Sequence, residues 1–284
     1  MSMKYDLHMH STVSDGTLSV DDLVSEVAKA GVDCMALTDH DTVDGIEAAL
    51  QACDDKAIQC IPGVEISITW NGQVIHILGL NINHNNNKLK HGLNKLLEFR
   101  KWRAEAIANK LGKAGIPDAL AGAARYAKGS LIGRMHFARF LVEQGICADI
   151  RSVFKKYLVR GKPGHVTGEW ASLEDALSWI RDAGGIAAIA HPARYRLTAT
   201  RLRALIEDFS EAGGSAYEVV SGSHNDNEIR SMAGYCDKYQ LYATAGSDYH
   251  GPENQWLHLG RLPTIPEPLV PVWQHPDWPA PLAS

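Results

Sequence analysis

Tyr5-Asp6-Leu7-His8-Met9-His10-Ser11 reads as a short strand that ends on two histidines one residue apart. Residues i and i+2 of a strand point to the same side, so the two imidazoles converge on one point. Asp15 comes next, in a Ser14-Asp15-Gly16 turn, and adds a carboxylate. Imidazole plus carboxylate, with no cysteine beside them, suits Zn, Mn or Fe and argues against Ca or a structural zinc finger. A single His-x-His has little specificity. Its weight comes from the similar residues that recur at the ends of later strands.

Outward from that stretch, Ser19 and Asp22 predict a helix start, and Leu23, Val24, Val27 and Ala28 form its apolar face before Gly31. Cys34–Leu37 reads as a buried strand that stops at Thr38-Asp39-His40-Asp41, and 43–52 as the next helix. The run 58–64 leads to Glu65. A hairpin comes after it, its Asn71-Gly72 turn flanked by alternating apolar residues and His76 in its second strand. From there to Tyr157 the pattern is helical (88–111, 118–127, 132–144, 149–157). Helix 173–183 resumes the alternation, with strands at 186–190, 216–220 and 241–245 and helices near 200–212 and 225–238.

Strands regularly separated by helices imply a parallel sheet. A count near seven with one hairpin fits a closed or nearly closed α/β barrel better than an open sheet, and neither G-x-G-x-x-G nor G-x-x-x-x-G-K occurs. The expected division is a barrel in two parts, 1–90 and 166–262, an inserted basic helical subdomain at 91–165, and a Pro/Trp-rich tail at 263–284 lying extended over the surface.

A chain of 284 residues accommodates one large α/β domain with an insertion, or two ordinary domains. Apolar content of 45% and charged content of 21% are ordinary for a globular protein. There is no apolar run of membrane-spanning length and no basic-then-apolar leader, and the five cysteines form no C-x-x-C pair. Buried thiols, a cytoplasmic location and no membrane or obligate protein partner are therefore expected. Net charge is −5, yet 91–165 carries fifteen Lys/Arg against five Asp/Glu, a local +10 that leaves −15 elsewhere. Such asymmetry points to an anionic ligand; the plainer alternative is a solvated helical face.

His8 and His10 close the first strand, with Asp15 just after. His40 ends the second, Glu65 comes after the third and His76 lies in the hairpin return. Strand 186–190 runs into His191-Pro192, and strand 241–245 into Gly246-Ser247-Asp248-Tyr249-His250. In barrels of parallel strands the chemistry sits at the C-terminal strand ends. One buried histidine with a partner is common in cores. Six at equivalent positions, with three carboxylates, indicate a multinuclear metal site.

His8-x-His10, Thr38-Asp39-His40, Gly63-Val64-Glu65, His76, Ala190-His191-Pro192 and Gly246-Ser247-Asp248-x-His250 together resemble the PHP (polymerase and histidinol phosphatase) family, related to the amidohydrolases, over residues 3–251. The resemblance implies a distorted (β/α)7 TIM-like barrel holding two or three divalent metals, Mn first, Fe or Zn otherwise. It implies His8, His10, Glu65 and Asp248 around one metal, Glu65 bridging to a second with His76 and His191, and Asp15, His40 and His250 on a third. Paired cations about 3.5–4 Å apart neutralise phosphate oxygens and lower the pKa of a bridging water, so no protein nucleophile is required. Asp39 is read as a catalytic carboxylate beside the metals or a proton carrier, or else as a helix cap.

For the substrate, Gly133-Arg134-x-His136 and Gly161-Lys162-Pro163-Gly164-His165 offer cations next to glycines, and Ser223 and His224 form another rim loop. Arg134 and Lys162 are read as phosphate ligands, with surface ion pairs as the alternative. The Gly-Arg-x-His-x-Ala and Ala-His-Pro-Ala-Arg-Tyr segments resemble the branch of nucleoside 3′,5′-bisphosphate phosphatases and 5′–3′ exoribonucleases. That branch implies removal of the 3′-phosphate of adenosine 3′,5′-bisphosphate, giving AMP and phosphate. The alternatives are cleavage of the first phosphodiester of a short 5′-phosphorylated RNA, a histidinol-phosphate substrate that gives no reason for the basic insert, and a non-catalytic metal-binding scaffold. Duplex DNA is not expected as a partner.

Overall fold

The structure, a computed structural model, describes residues 3–129, 131–253 and 256–280; the last four residues of the expected tail lie outside them. Seven strands, β1 (Tyr5–Asp6), β2 (Cys34–Leu37), β3 (Gln59–Trp70), β4 (Gln73–Leu80), β5 (Ile186–Ile189), β6 (Ala216–Ser221) and β7 (Tyr242–Gly246), lie in sequence order in one sheet. All neighbours are parallel except β4, which runs antiparallel to both β3 and β5. Leu7 N–H donates to Ala245 O at 2.9 Å and Met9 bridges to Tyr249, so the two ends of the sheet meet in a nearly closed barrel.

Helices α1 (Val20–Lys29), α2 (Ile46–Asp54), α7 (Leu173–Asp182), α8 (Ala199–Glu211) and α9 (Asp226–Lys238) cover the outside. Each buries one apolar stripe, such as Leu23, Val24 and Val27 on α1. Ser19 Oγ accepts Asp22 N–H at 3.1 Å, the expected cap.

Strand β3 differs from expectation, because it runs unbroken through Glu65 instead of ending before it. Its first residues, 59–62, pair with β2, and 63–70 pair with β4. On its β2 side Glu65 lies where that strand has already stopped and meets the isolated bridge from His40, while its other edge pairs with Leu78 of β4. The end of β2, and not of β3, defines the rim at which the Glu65 side chain emerges.

Helices α3 (Asn87–Lys113), α4 (Ala119–Ala124), α5 (Arg134–Glu143) and α6 (Ile150–Val153), with a π-helical turn at Phe154–Leu158, build a second apolar core from Ile107, Leu111, Phe137, Leu141, Val153 and Leu158. Helix α3 belongs to both cores: Leu89, Leu93 and Leu96 pack in the barrel, and Ala104, Ile107 and Leu111 pack in the insert. One unbroken helix thus fixes the insert to the barrel. Gly129 passes so close to the Thr12 and Val13 carbonyls that a Cβ there would lie 3.0 Å from the nearest oxygen, which holds the insert against the turn bearing Asp15.

The C-terminal tail does more than lie on the surface. Ala243 N–H donates to Val270 O at 2.8 Å, Val272 is fully buried with Leu7, Ile61 and Ala216, and Trp273 stacks on Tyr5 at 3.8 Å. It closes the barrel end opposite the strand C-termini. Val272→Asp buries an unpaired carboxylate there, and differential scanning calorimetry is expected to show a melting temperature lower by roughly 6–12 °C, the equivalent of about 3 kcal/mol. Cys34, Cys53, Cys147 and Cys236 are buried free thiols. No helix among the described residues is long and apolar enough to cross a membrane.

Candidate metal centre

All nine side chains expected at the rim converge at the C-terminal end of the barrel. Glu65 is their hub. Its Oε1 lies 2.9 Å from His76 Nδ1, 2.9 Å from His191 Nε2 and 3.4 Å from His8 Nε2. Its Oε2 lies 2.8 Å from His40 Nδ1 and 3.3 Å from His10 Nε2. Asp248 Oδ1 faces His10 (3.3 Å), His8 (3.5 Å) and His250 (3.6 Å). Asp15 Oδ1 faces His250 at 3.3 Å and His40 at 3.8 Å. Four overlapping groups can each hold a cation: His10, Asp15, His40 and His250; His8, Glu65 and His191; His8, His10 and Asp248; His40, Glu65 and His76. His8, His10 and His40 belong to more than one group, so the geometry divides the ligands less cleanly than the three sets implied by resemblance.

The donor chemistry fits divalent cations. Seven buried atoms of the cluster have no hydrogen-bond partner: His8 Nε2, both His10 ring nitrogens, Asp15 Oδ1, His40 Nδ1, Glu65 Oε2 and His191 Nδ1. Buried polar atoms without partners are costly, and here they crowd around one volume. Despite burial, His40, His76 and His8 hold the Glu65 carboxyl well below the usual range, and His250 and His40 do the same for Asp15. Burial pushes His40 and His191 down to about 4, leaving those rings neutral and able to coordinate. Burial opposes charge on His8 and His10 too, but the carboxylates win: Glu218, Glu65 and Asp248 raise His8 well above its ordinary value, and Asp248 and Glu65 raise His10 to about 10.

Two of these residues have left-handed backbones, His191 at φ 28° and Asp248 at φ 54°. Non-glycine residues in that region carry strain, which a structure retains where side-chain aim requires it.

Asp39 does not point at the cluster's ligand atoms. Its two oxygens accept Ser11 N–H at 2.9 Å, Ser11 Oγ–H at 2.6 Å and Ser14 Oγ–H at 2.5 Å, bracing the turn that carries Asp15. Nor does it cap a helix, since the N-cap of α2 is Gly45, with no side-chain cap. The bonding gives no support to a proton carrier and favours a bracing role.

The expected substrate residues are more scattered. Arg134 begins α5 with its guanidinium carbon 5.6 Å from the Phe154 ring. His136 is buried, and its Nδ1 accepts Gly133 N–H at 3.0 Å, so only its other ring edge remains for a ligand. Lys162 is exposed. Ser223 Oγ lies 3.3 Å from Ser221 Oγ, and His224 Nδ1–H donates to Val219 O at 3.2 Å. Their loop is pressed against Ser247, whose carbonyl oxygen leaves no room for a Cβ on Gly222.

Three functional neighbours were not singled out from the sequence. Glu218 is fully buried, takes His8 Nδ1–H at 2.9 Å and His191 N–H at 2.5 Å, and so fixes the tautomer that turns His8 Nε2 inward. Its signal was legible, because a carboxylate inside the apolar run Ala-Tyr-Glu-Val-Val of β6 demands a partner. Arg194 pairs with Asp248, and Arg100 pairs through Nε with Asp41 at 2.6 Å. Carboxylates that orient metal-binding imidazoles are typically worth about 10–100-fold in metal affinity. Glu218→Gln is accordingly expected to raise the metal dissociation constant by about that factor in chelator competition, with little change in the circular dichroism spectrum.

A barrel with one reversed strand and a histidine–carboxylate cluster at its rim defines a metal-dependent hydrolase scaffold. The chain belongs to the PHP domain family, whose model matches residues 6–185. It is 42% identical over 270 residues to the 3′,5′-nucleoside bisphosphate phosphatase of Chromobacterium violaceum, covering 95% of each chain. It is also 43% identical to the 5′-3′ exoribonuclease Rnm of Escherichia coli, over 95% of this chain and 92% of that one. Among solved structures, an amidohydrolase from Chromobacterium violaceum with bound sulfate and no metal superposes with a TM-score of 0.92 at 41% identity, covering 95% of this chain and 94% of that one.

Proposed function

We propose that the chain is a phosphoesterase that removes the 3′-phosphate of a nucleoside 3′,5′-bisphosphate, with adenosine 3′,5′-bisphosphate giving AMP and phosphate. The observation that carries this reading is the Glu65 hub, one carboxylate facing five of the six clustered histidines. His8, His10, Asp15, His40, Glu65, His76, His191, Asp248 and His250 hold two or three divalent cations, Mn favoured. Bound there, the cations supply charge neutralisation for the phosphate oxygens and acidify water. The protein holds Glu65, Asp15 and Asp248 ionised and His40 and His191 neutral, the states coordination needs. Arg194, paired with Asp248 and half exposed, is placed to grip a phosphate oxygen beside it. Arg134 and the free edge of His136 bind the substrate from the insert, and Lys162, Ser223 and His224 contribute from the outer rim.

A second reading has a specific ground, the equal likeness to relatives named exoribonucleases. Both reactions break a P–O3′ bond and differ only in whether the 3′-phosphate carries a further nucleotide. Purified Mn-loaded protein is expected to release inorganic phosphate from adenosine 3′,5′-bisphosphate faster than it releases nucleotides from a short 5′-phosphorylated RNA. Turnover of the RNA alone would move the assignment to the exoribonuclease.

A further inference from the structure

The ladder between β4 and β5 gives out where two ligands of the cluster begin. Ala190 N–H donates to His76 O at 3.1 Å, one position beyond the Ile77 and Ile189 pair, and the chain then turns away through His191 at φ 28°. In a regular antiparallel pair the two residues exchange both bonds, so His76 N–H would go to the Ala190 carbonyl. Here it donates to Tyr195 Oη at 2.8 Å, and the Tyr195 hydroxyl itself faces His76 O at 3.5 Å. Tyr195 ends the 3₁₀ turn Pro192–Tyr195 that starts directly after His191. Inside that turn Arg194 N–H donates to His191 O at 3.0 Å, and the Tyr195 ring meets the His191 imidazole edge-on at 5.4 Å. Gln73 Nε2 donates to the Tyr195 carbonyl at 2.9 Å, a second tie between the turn and β4. His76 is thus held from both sides of His191, by Ala190 before it and by Tyr195 after it.

The two imidazoles fastened this way meet at one oxygen. His76 Nδ1 and His191 Nε2 each lie 2.9 Å from Glu65 Oε1. They belong to different cation groups, His76 with His40 and Glu65, His191 with His8 and Glu65. A backbone N–H at a strand end without its ladder partner is free to twist or to take water, and the side chain on that residue twists with it. The Tyr195 ring packs on the barrel's apolar core, so its hydroxyl acts from a fixed base. We propose that Tyr195 is a positioning residue: its hydroxyl locks the His76 backbone to the His191 turn and so sets the spacing between the two cation groups that Glu65 joins. This rests on the metal-centre reading above. The hydroxyl acts through the two ligands and takes no part in substrate contact or proton transfer.

The test compares wild type with Tyr195→Phe, which removes only the hydroxyl. Chelator-treated protein is titrated with MnCl2 and followed by electron paramagnetic resonance. At least one step of Mn uptake should weaken by about 10-fold in Tyr195→Phe, and the exchange-coupled signal of neighbouring Mn ions should shrink or change. Saturating Mn should restore most of kcat for phosphate-ester hydrolysis; a loss of kcat that excess Mn leaves in place would make the hydroxyl a catalytic group and overturn the positioning role. A purely structural brace would lower the melting temperature while leaving Mn affinity and the coupled signal alone, and that result also overturns the proposal. Proton cross-peaks between the His76 and His191 rings, whose centroids lie 5.2 Å apart, supply a readout that needs no metal. They should weaken in chelator-treated Tyr195→Phe, while those between His10 and His250 stay as in wild type. Should wild type take up no Mn, the metal-centre reading fails, and unchanged His76–His191 cross-peaks would still refute the clamp.

Discussion

Glu65→Gln is expected to lower phosphate-ester hydrolysis by about 10³-fold or more, because the cations it helps hold contribute several kcal/mol of charge stabilisation. Each of its two oxygens faces more than one imidazole, so a neutral amide weakens every group it joins at once. An amide also presents an N–H₂ where a second acceptor is required, which sets a donor against His40 and His10 or against His8, His76 and His191. Metal content measured by mass spectrometry after dialysis should drop together with activity. Retention of full metal content alongside full turnover in this variant would remove the hub from the mechanism and the assignment with it.

The second large effect is the pH dependence of the metal-free protein. His8 and His10 have folded-state pKa values raised above the ordinary value, His10 to about 10. The stability they contribute is therefore fully present below about 6.5 and is lost as pH rises through the folded value near 10. Asp15, Glu65 and Asp248 have depressed values, so their contribution is present above about 4 and is lost as pH falls further. His40 and His191, lowered to about 4, take up protons more readily in the unfolded chain and so cost stability as pH falls from about 6.5 towards 4. Chelator-treated protein should therefore be most stable near pH 6.5, and weaker at pH 9 than at pH 7 by an amount on the order of a few kcal/mol. Coordination requires neutral imidazoles, so loading must displace those protons and apparent metal affinity should climb steeply with pH over the same interval. Calorimetry in two buffers of different ionisation enthalpy counts the protons released. A count of zero near neutral pH would mean that the two rings are not charged in the metal-free protein.

These expectations use features of very different visibility. His8 and His10 could be paired from the alternation of a strand alone, and His40, His191, Asp248 and His250 from their position just past apolar runs. Asp39 illustrates the opposite case. Its neighbour His40 made a catalytic role plausible, whereas its oxygens are taken up by Ser11 and Ser14, contacts that bridge 28 and 25 residues of chain. Glu218 reaches His8 across 210 residues, and nothing near either residue in the chain announces the pairing. Val272 and Trp273 looked like surface residues because a proline-rich tail has no periodicity to betray a buried face.

The residue types and their recurrence at strand ends already carried the chemistry, since imidazole and carboxylate define a cation site wherever they meet. The α/β alternation carried the barrel for the same kind of reason, because local hydrogen bonding and apolar period are written in neighbouring residues. Which oxygen faces which ring, which hydroxyl takes the His76 N–H and which end of the barrel the tail closes depend on distances of a few ångströms between segments far apart in the chain. Coulomb and hydrogen-bond energies change steeply over such distances, so packing alone could decide them.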